Sequence, residues 1–159
     1  MELVVIVWAI SAYGLLAAIL LTTGYDLLKG KYHIALIGLA ALFFSPHVFG
    51  FVLDSFGIAL NAKVMMFSVS LLSIISVFAI INLLKNYNHT KKTRILCSTA
   101  LIVSLIAIGS YIAILISPEK RWVQVLPEAL AVLFPPVMIG GVPFIFHRAL
   151  RRLVTLRGA

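Results

Sequence analysis

Residues 64–84 read VMMFSVSLLSIISVFAIINLL and contain no charged side chain. An α-helix needs about 20 consecutive apolar residues to cross the hydrocarbon core of a bilayer, and this segment is long enough. In lipid the backbone must satisfy its own hydrogen bonds, which favours a helix over an irregular segment. The segment is therefore predicted to be a transmembrane helix.

Four further apolar segments flank this one, and the composition of the whole chain agrees with them. The predicted spans cover residues 3–21 (with an extension to 28 if the next turns stay helical), 34–53, 64–84, 95–116 and 129–146. The chain is 62% hydrophobic and 11% charged, whereas a soluble domain contains about 25% charged residues. A chain of 159 residues cannot hide that much apolar surface from water. These values exclude a soluble domain and a nucleic-acid-binding module, and they predict an all-α integral membrane protein.

The basic residues predict how the five spans are oriented. Five spans place the two termini on opposite sides, and only Lys63, Lys120 and Arg121 fall on the side of the N-terminus. The remaining Lys and Arg residues, ten of thirteen, fall on the side of the C-terminus. The positive-inside rule then predicts an outside N-terminus and a cytoplasmic C-terminus. We expect one transmembrane domain at 1–147 and a basic cytoplasmic helical tail at 148–159, in the cytoplasmic membrane of a bacterium or archaeon.

Prolines and glycines interrupt the last of these spans. Pro135 and Pro136 are followed by Gly140, Gly141 and Pro143. A proline inside a helix lacks an N–H and its ring clashes with the carbonyl four residues back. The fifth helix is therefore predicted to be broken at Pro135-Pro136. The break is either a packing kink whose free carbonyls bond to neighbouring hydroxyls, or a substrate or ion site of the kind found in transporters.

His47 is the one ionisable side chain well inside the five predicted spans. An ionisable residue within a membrane suggests a functional site, and histidine changes charge near neutral pH. Residues at a matching depth could complete a polar layer that holds a substrate or ion. The candidate residues are His47, Asp54, Ser70, Ser110, Tyr111, Glu128, Pro135 and Pro136. The alternative is a neutral histidine that makes one hydrogen bond across a helix pair.

Other reactive side chains give weaker signals. His33, His89 and His147 fall at predicted span ends and are interpreted as solvated. The single cysteine, Cys97, excludes an internal disulfide. No metal-ligand spacing or catalytic set is recognisable, so the sequence predicts neither a metal nor a cofactor, and it argues against an enzyme. The tail is predicted to contact anionic cytoplasmic lipid or a protein partner through Arg148, Arg151, Arg152 and Arg157.

Small residues at helical spacing predict the faces along which helices pack. Such faces occur at Gly14 and Ala18, at Gly109 and Ala113, and at three serines in the third span, Ser70, Ser73 and Ser76. Three functions remain open. The first is a non-enzymatic subunit or modulator of a membrane assembly, packed against copies of itself or other membrane subunits. The second is a small oligomeric transporter or channel built on the His47 layer and the broken fifth helix. The third is an enzyme that acts on a lipid or quinone.

Overall fold

A computed structural model of the chain describes residues 2–59, 61–116 and 133–158. These residues form helices and connecting turns, and no strand occurs among them. The helices are α1 (Glu2–Leu28), α2 (Tyr32–Phe43), α3 (Pro46–Ser55), α4 (Ala62–Asn86), α5 (Lys91–Ile116) and α6 (Leu133–Arg157). Helix α6 contains a π-helical turn at Val137–Gly141.

Four helices, α1, α4, α5 and α6, are each long and apolar enough to cross a membrane. Helices α2 and α3 pass the same test only as a pair, and they are bent by 72° to each other. Length and composition thus allow four spans, or five if the bent pair counts as one. The helices are those expected of an integral membrane protein, as the sequence predicts.

The predicted span at 34–53 is not one helix but two. Helix α2 ends at Phe43 and α3 begins at Pro46, with Ser45 between them in an extended conformation (φ −62°, ψ 142°). The residue before a proline avoids the α conformation, and proline itself is favoured in the first helical turn. The Ser45 hydroxyl and the Ser45 backbone N–H both donate to the Leu42 carbonyl at the end of α2, at 2.6 Å and 3.1 Å. Pro46 therefore starts a new helix rather than bending a continuous one.

The described part of α6 begins at Leu133 and has Pro135 and Pro136 in its first turn, so the break predicted at these prolines stays a prediction. Pro136 has helical dihedral angles (φ −64°, ψ −32°), which are close to those that the proline ring imposes. The irregularity comes directly afterwards at Val137–Gly141, where the N–H of Val142 bonds to a carbonyl five residues back. This wide turn places Pro143 in the first turn of the following α-helical segment. A missing N–H is tolerated there, so α6 continues through Pro143.

A tight turn at Gly30 reverses the chain between α1 and α2. Gly30 has φ +69°, a left-handed conformation that glycine adopts at little cost. Its N–H donates to the Leu27 carbonyl at 3.0 Å, and the Lys31 N–H donates to the Asp26 carbonyl at 2.9 Å. Together these bonds form a Schellman motif. The turn makes α2 antiparallel to α1 and leaves Asp26 in the last turns of α1.

Two glycines let helices approach α1 closely. A Cβ on Gly140 would lie 2.5 Å from the carbonyl oxygen and 2.9 Å from the Cα of Ala12, so α6 touches the α1 backbone. A Cβ on Gly38 of α2 would overlap the Thr23 hydroxyl. In α4 and in α6, half of the residues in the most apolar 18-residue stretch are buried, whereas the corresponding share is 11% in α1 and 17% in α5. Helices α4 and α6 therefore form the centre of the bundle, with α1 and α5 at its sides.

We predict that Gly140→Ala destabilises the protein by about 1–3 kcal/mol, because the added methyl group meets backbone atoms that cannot rotate away. Gly24→Ala is the matched control, since no atom of another part of the chain lies within 4 Å of its Cβ position. Alanine is also the better helix former, so this control should not lose stability. The thermal unfolding midpoint in detergent, followed by circular dichroism, measures both variants. Equal midpoints would contradict the close contact between α1 and α6.

Candidate functional site

A bidentate ion pair joins α1 to α6 at the end of the bundle where both helices finish. The Arg151 Nε donates to Asp26 Oδ2 at 3.0 Å, and Arg151 Nη2 donates to Oδ1 at 2.8 Å. Asp26 is fully buried, whereas the Arg151 side chain is 28% exposed. Two parallel hydrogen bonds between charged groups form one of the stronger and more directional contacts in proteins.

This ion pair is needed because Asp26 lies in an unfavourable place. A buried carboxylate loses its hydration, and a negative charge near the C-terminus of a helix is repelled by the helix dipole. Arg151 compensates both effects with one charge and two donors. Asp26 and Arg151 thus hold α1 to α6 at this end, while Ala12 and Gly140 hold the same helices together further along α1.

Asp26 is the buried ionisable residue that sequence reasoning missed. The first span was predicted at 3–21 with an extension to 28 left open, and α1 does continue to Leu28, so Asp26 lies inside a membrane-length helix. His47 is therefore not the one ionisable side chain within the spans. A signal was present, since Asp26 is the one acidic residue on the side where the predicted spans place ten basic residues. Arg151 donates two hydrogen bonds to Asp26, and its predicted contact with lipid or a partner stays a prediction.

His147 is buried beside this ion pair, not solvated as predicted. The side chain is 1% exposed, and neither ring nitrogen has a hydrogen-bond partner among the described residues. It lies four residues before Arg151 and thus on the same face of α6, within electrostatic range of Asp26. Burial follows because this face of α6 turns into the bundle. The other two histidines differ: His33 is exposed, and His89 Nε2 lies 2.7 Å from the Leu83 carbonyl oxygen.

His47, the centre of the predicted polar layer, is half-buried in α3 and stacks on an aromatic ring of α1. The His47 and Tyr13 ring centroids lie 5.6 Å apart with an interplanar angle of 18°. The Tyr13 side chain is 51% exposed, so the stack lies at the side of the bundle. Asp54 is exposed near the end of the same helix. Within the described residues this arrangement is a ring stack rather than a buried ionisable centre.

The other predicted members of the layer lie in different surroundings. Ser110 is buried and its hydroxyl donates to the Ile106 carbonyl of its own helix at 2.5 Å. The buried Ser70 hydroxyl has no partner among the described residues. Tyr111 packs on Phe67, with ring centroids 6.2 Å apart. Glu128 lies outside the described residues, and Pro135 and Pro136 lie in the first described turn of α6. A layer shared by all of them stays a prediction.

A groove of about 830 Å³ opens between α5 and α6, with α4 as its floor. Apolar side chains from α2, α4, α5 and α6 line it, among them Leu83, Leu96, Val103, Phe144 and Ile145. The basic rim, our term for Lys31, Arg148, Arg151 and Arg152, lines it as well. The Arg148 guanidinium also lies 5.3 Å from the Phe144 ring centroid. Three of the four tail arginines predicted to bind anionic groups therefore border one groove, and Arg157 lies beyond it.

The described ranges hold no group of three His, Cys, Asp or Glu side chains that could bind a metal ion. Comparison with known proteins finds no matching family model, no matching curated protein and no matching solved structure. Function is therefore inferred from the contacts and exposure of the chain's own residues.

We predict that Arg151→Ala destabilises the protein by about 3–5 kcal/mol, because it leaves a buried carboxylate without its counter-charge. Arg152→Ala is the matched control: it removes the neighbouring, exposed arginine and should change stability by less than about 0.5 kcal/mol. The free energy of unfolding in mixed micelles measures both.

The double variant Asp26→Leu/Arg151→Leu should recover much of this loss, since apolar replacement of both members of a buried pair is often neutral. If Arg151→Ala and Arg152→Ala were equally stable, the ion pair would not hold α1 to α6.

Proposed function

We propose that the protein is a non-enzymatic subunit or modulator of a membrane assembly, and that it binds neighbouring helices through the outer faces of α1 and α5. One observation carries the proposal. The glycines of the two packing pairs, Gly14–Ala18 and Gly109–Ala113, are exposed, and no atom lies within 4 Å of a Cβ placed on either glycine. These pairs therefore make no close helix contact within the described part of the chain.

The internal packing of the bundle uses other small residues. Gly38 and Gly140 are buried and touch α1, and the serine face of α4 (Ser70, Ser73 and Ser76) is buried too. An exposed glycine costs a helix about 1 kcal/mol relative to alanine without improving contact with lipid. Small residues four apart do, however, allow a second helix to approach closely in a membrane. Contact with another subunit accounts for glycine at positions 14 and 109.

The assembly consists of further copies of this chain or of other membrane subunits. We place the basic end of the bundle in the cytoplasm and the N-terminus outside, because ten of the thirteen basic residues fall on that side of the predicted spans. The membrane we propose is the cytoplasmic membrane of a bacterium or archaeon. Helices α1 and α6 are held together by the Asp26–Arg151 ion pair and by the close contact of Gly140 with Ala12. A rigid helix pair of this kind suits a subunit that binds its neighbours through a fixed outer surface.

We predict that Gly14→Leu and Gly109→Leu weaken association while the chain stays folded, because the new side chains enter open space within the chain but block a neighbouring helix. Leu20→Phe is the control, since it adds bulk at a position that is 59% exposed and about 120° around α1 from Gly14. Cross-linking in native membranes and native mass spectrometry measure association.

The proposal fails if the wild-type chain is monomeric in lipid and co-purifies with nothing, or if Leu20→Phe weakens association as much as Gly14→Leu. Liposome flux separates the transporter alternative. We expect pH-driven flux no greater than in protein-free liposomes. A wild-type flux that His47→Ala abolishes would favour transport.

A further inference from the structure

We infer that the groove between α5 and α6 is a binding site for one anionic phospholipid, with the phosphate at the basic rim and an acyl chain along the apolar wall. This site goes beyond the proposed assembly, because the groove is lined by residues other than the exposed glycines. Three properties of the groove identify the occupant: its charge, its length and its apolar lining.

The charge of the rim is largely uncompensated. Asp26 neutralises Arg151, and this is the one ion pair among the described side chains. Lys31, Arg148 and Arg152 are exposed and border the same groove without a carboxylate partner in the described ranges. Guanidinium groups bind phosphate oxygens in a bidentate manner. Asp26 fixes the position of this part of α6 through Arg151. Arg148 and Arg152 lie on the same segment of α6, so the ion pair also keeps them beside the groove.

The length of the groove matches one leaflet of a bilayer. On α5 its lining extends from Thr93 to Val103, which is about 15 Å at 1.5 Å per residue. The hydrocarbon core of a bilayer is about 30 Å thick, so one leaflet spans about the same distance. A basic opening followed by an apolar wall of this depth fits a lipid with an anionic head group.

The apolar lining distinguishes a lipid from a soluble phosphate compound. Leu96 and Val103 of α5 line the groove together with Phe144 and Ile145 of α6. A soluble anion would use the rim and leave these side chains uncovered. An acyl chain would cover them, and burial of apolar area then adds to the electrostatic attraction.

The test uses the full-length protein in phosphatidylcholine nanodiscs that contain a small fraction of phosphatidylglycerol with the same acyl chains. Native mass spectrometry counts the lipids that the protein retains on release. We expect one phosphatidylglycerol to be retained in preference to phosphatidylcholine. Equal retention of the two lipids would overturn the inference.

Two pairs of variants locate the site. Arg148→Gln/Arg152→Gln should lower the preference for phosphatidylglycerol about 25-fold, since each arginine near an anionic surface contributes about fivefold. Arg157→Gln, which removes a tail arginine beyond the groove, should leave the preference unchanged.

Val103→Trp fills the apolar wall of the groove and should abolish lipid retention, whereas Ile102→Trp, at a position that is 58% exposed, should not. Loss of preference in Arg157→Gln, or full retention in Val103→Trp, would overturn the groove as the site.

A measurement on the wild-type chain covers the case in which Val103→Trp does not fold. Cys97 is the single cysteine of the chain and lines the groove. Added phosphatidylglycerol should slow its alkylation by N-ethylmaleimide, while added phosphatidylcholine should not. An unchanged rate would overturn the inference. Equal protection by glycerol phosphate would show that a soluble anion suffices and would also overturn it.

Discussion

The buried carboxylate of Asp26 is the constraint on which the rest of the structure depends. A negative charge in an apolar bundle, near the C-terminus of a helix, must be paired or the helix must move outward. Arg151 supplies the partner through two hydrogen bonds. The position of α6 against α1 follows from this contact, and so does the burial of His147 one turn earlier. The exposed arginines on either side of Arg151 are then held at the opening of the groove.

Uninterrupted apolar segments made parts of the fold predictable. The predicted spans at 64–84 and 95–116 correspond to Ala62–Asn86 and Lys91–Ile116, which extend a few residues into the polar flanks. The prolines were less predictable, because their effect depends on where a helix begins. Pro46 starts a helix, whereas Pro136 keeps helical dihedral angles and is followed directly by the π-helical turn. Those starting points are set by packing between helices, which a single sequence does not display.

The candidate site was predictable only in part, for a related reason. His47 was found because an ionisable residue inside an apolar span is conspicuous. Asp26 was missed because it follows Thr22, Thr23 and Gly24, beyond the mainly apolar part of the first span. Its contact with Arg151 joins residues 125 positions apart, which no local spacing can reveal. His147 directly precedes Arg148 at the end of the last predicted span, which suggests a solvated side chain, so its burial required the tertiary structure.

The π-helical turn in α6 rotates the side chains of all later residues about the helix axis. A π-helical turn holds one residue more than an α-helical turn, so the residues after Gly141 are turned by about 100° from where a regular helix would place them. Arg151 reaches Asp26 from this rotated register. Loss of a single residue from Val137–Gly141 would restore regular geometry and redirect the whole arginine-bearing segment. In this helix the length of one turn therefore matters as much as the identity of the side chains, and related chains should conserve the residue count here even where the residues themselves vary.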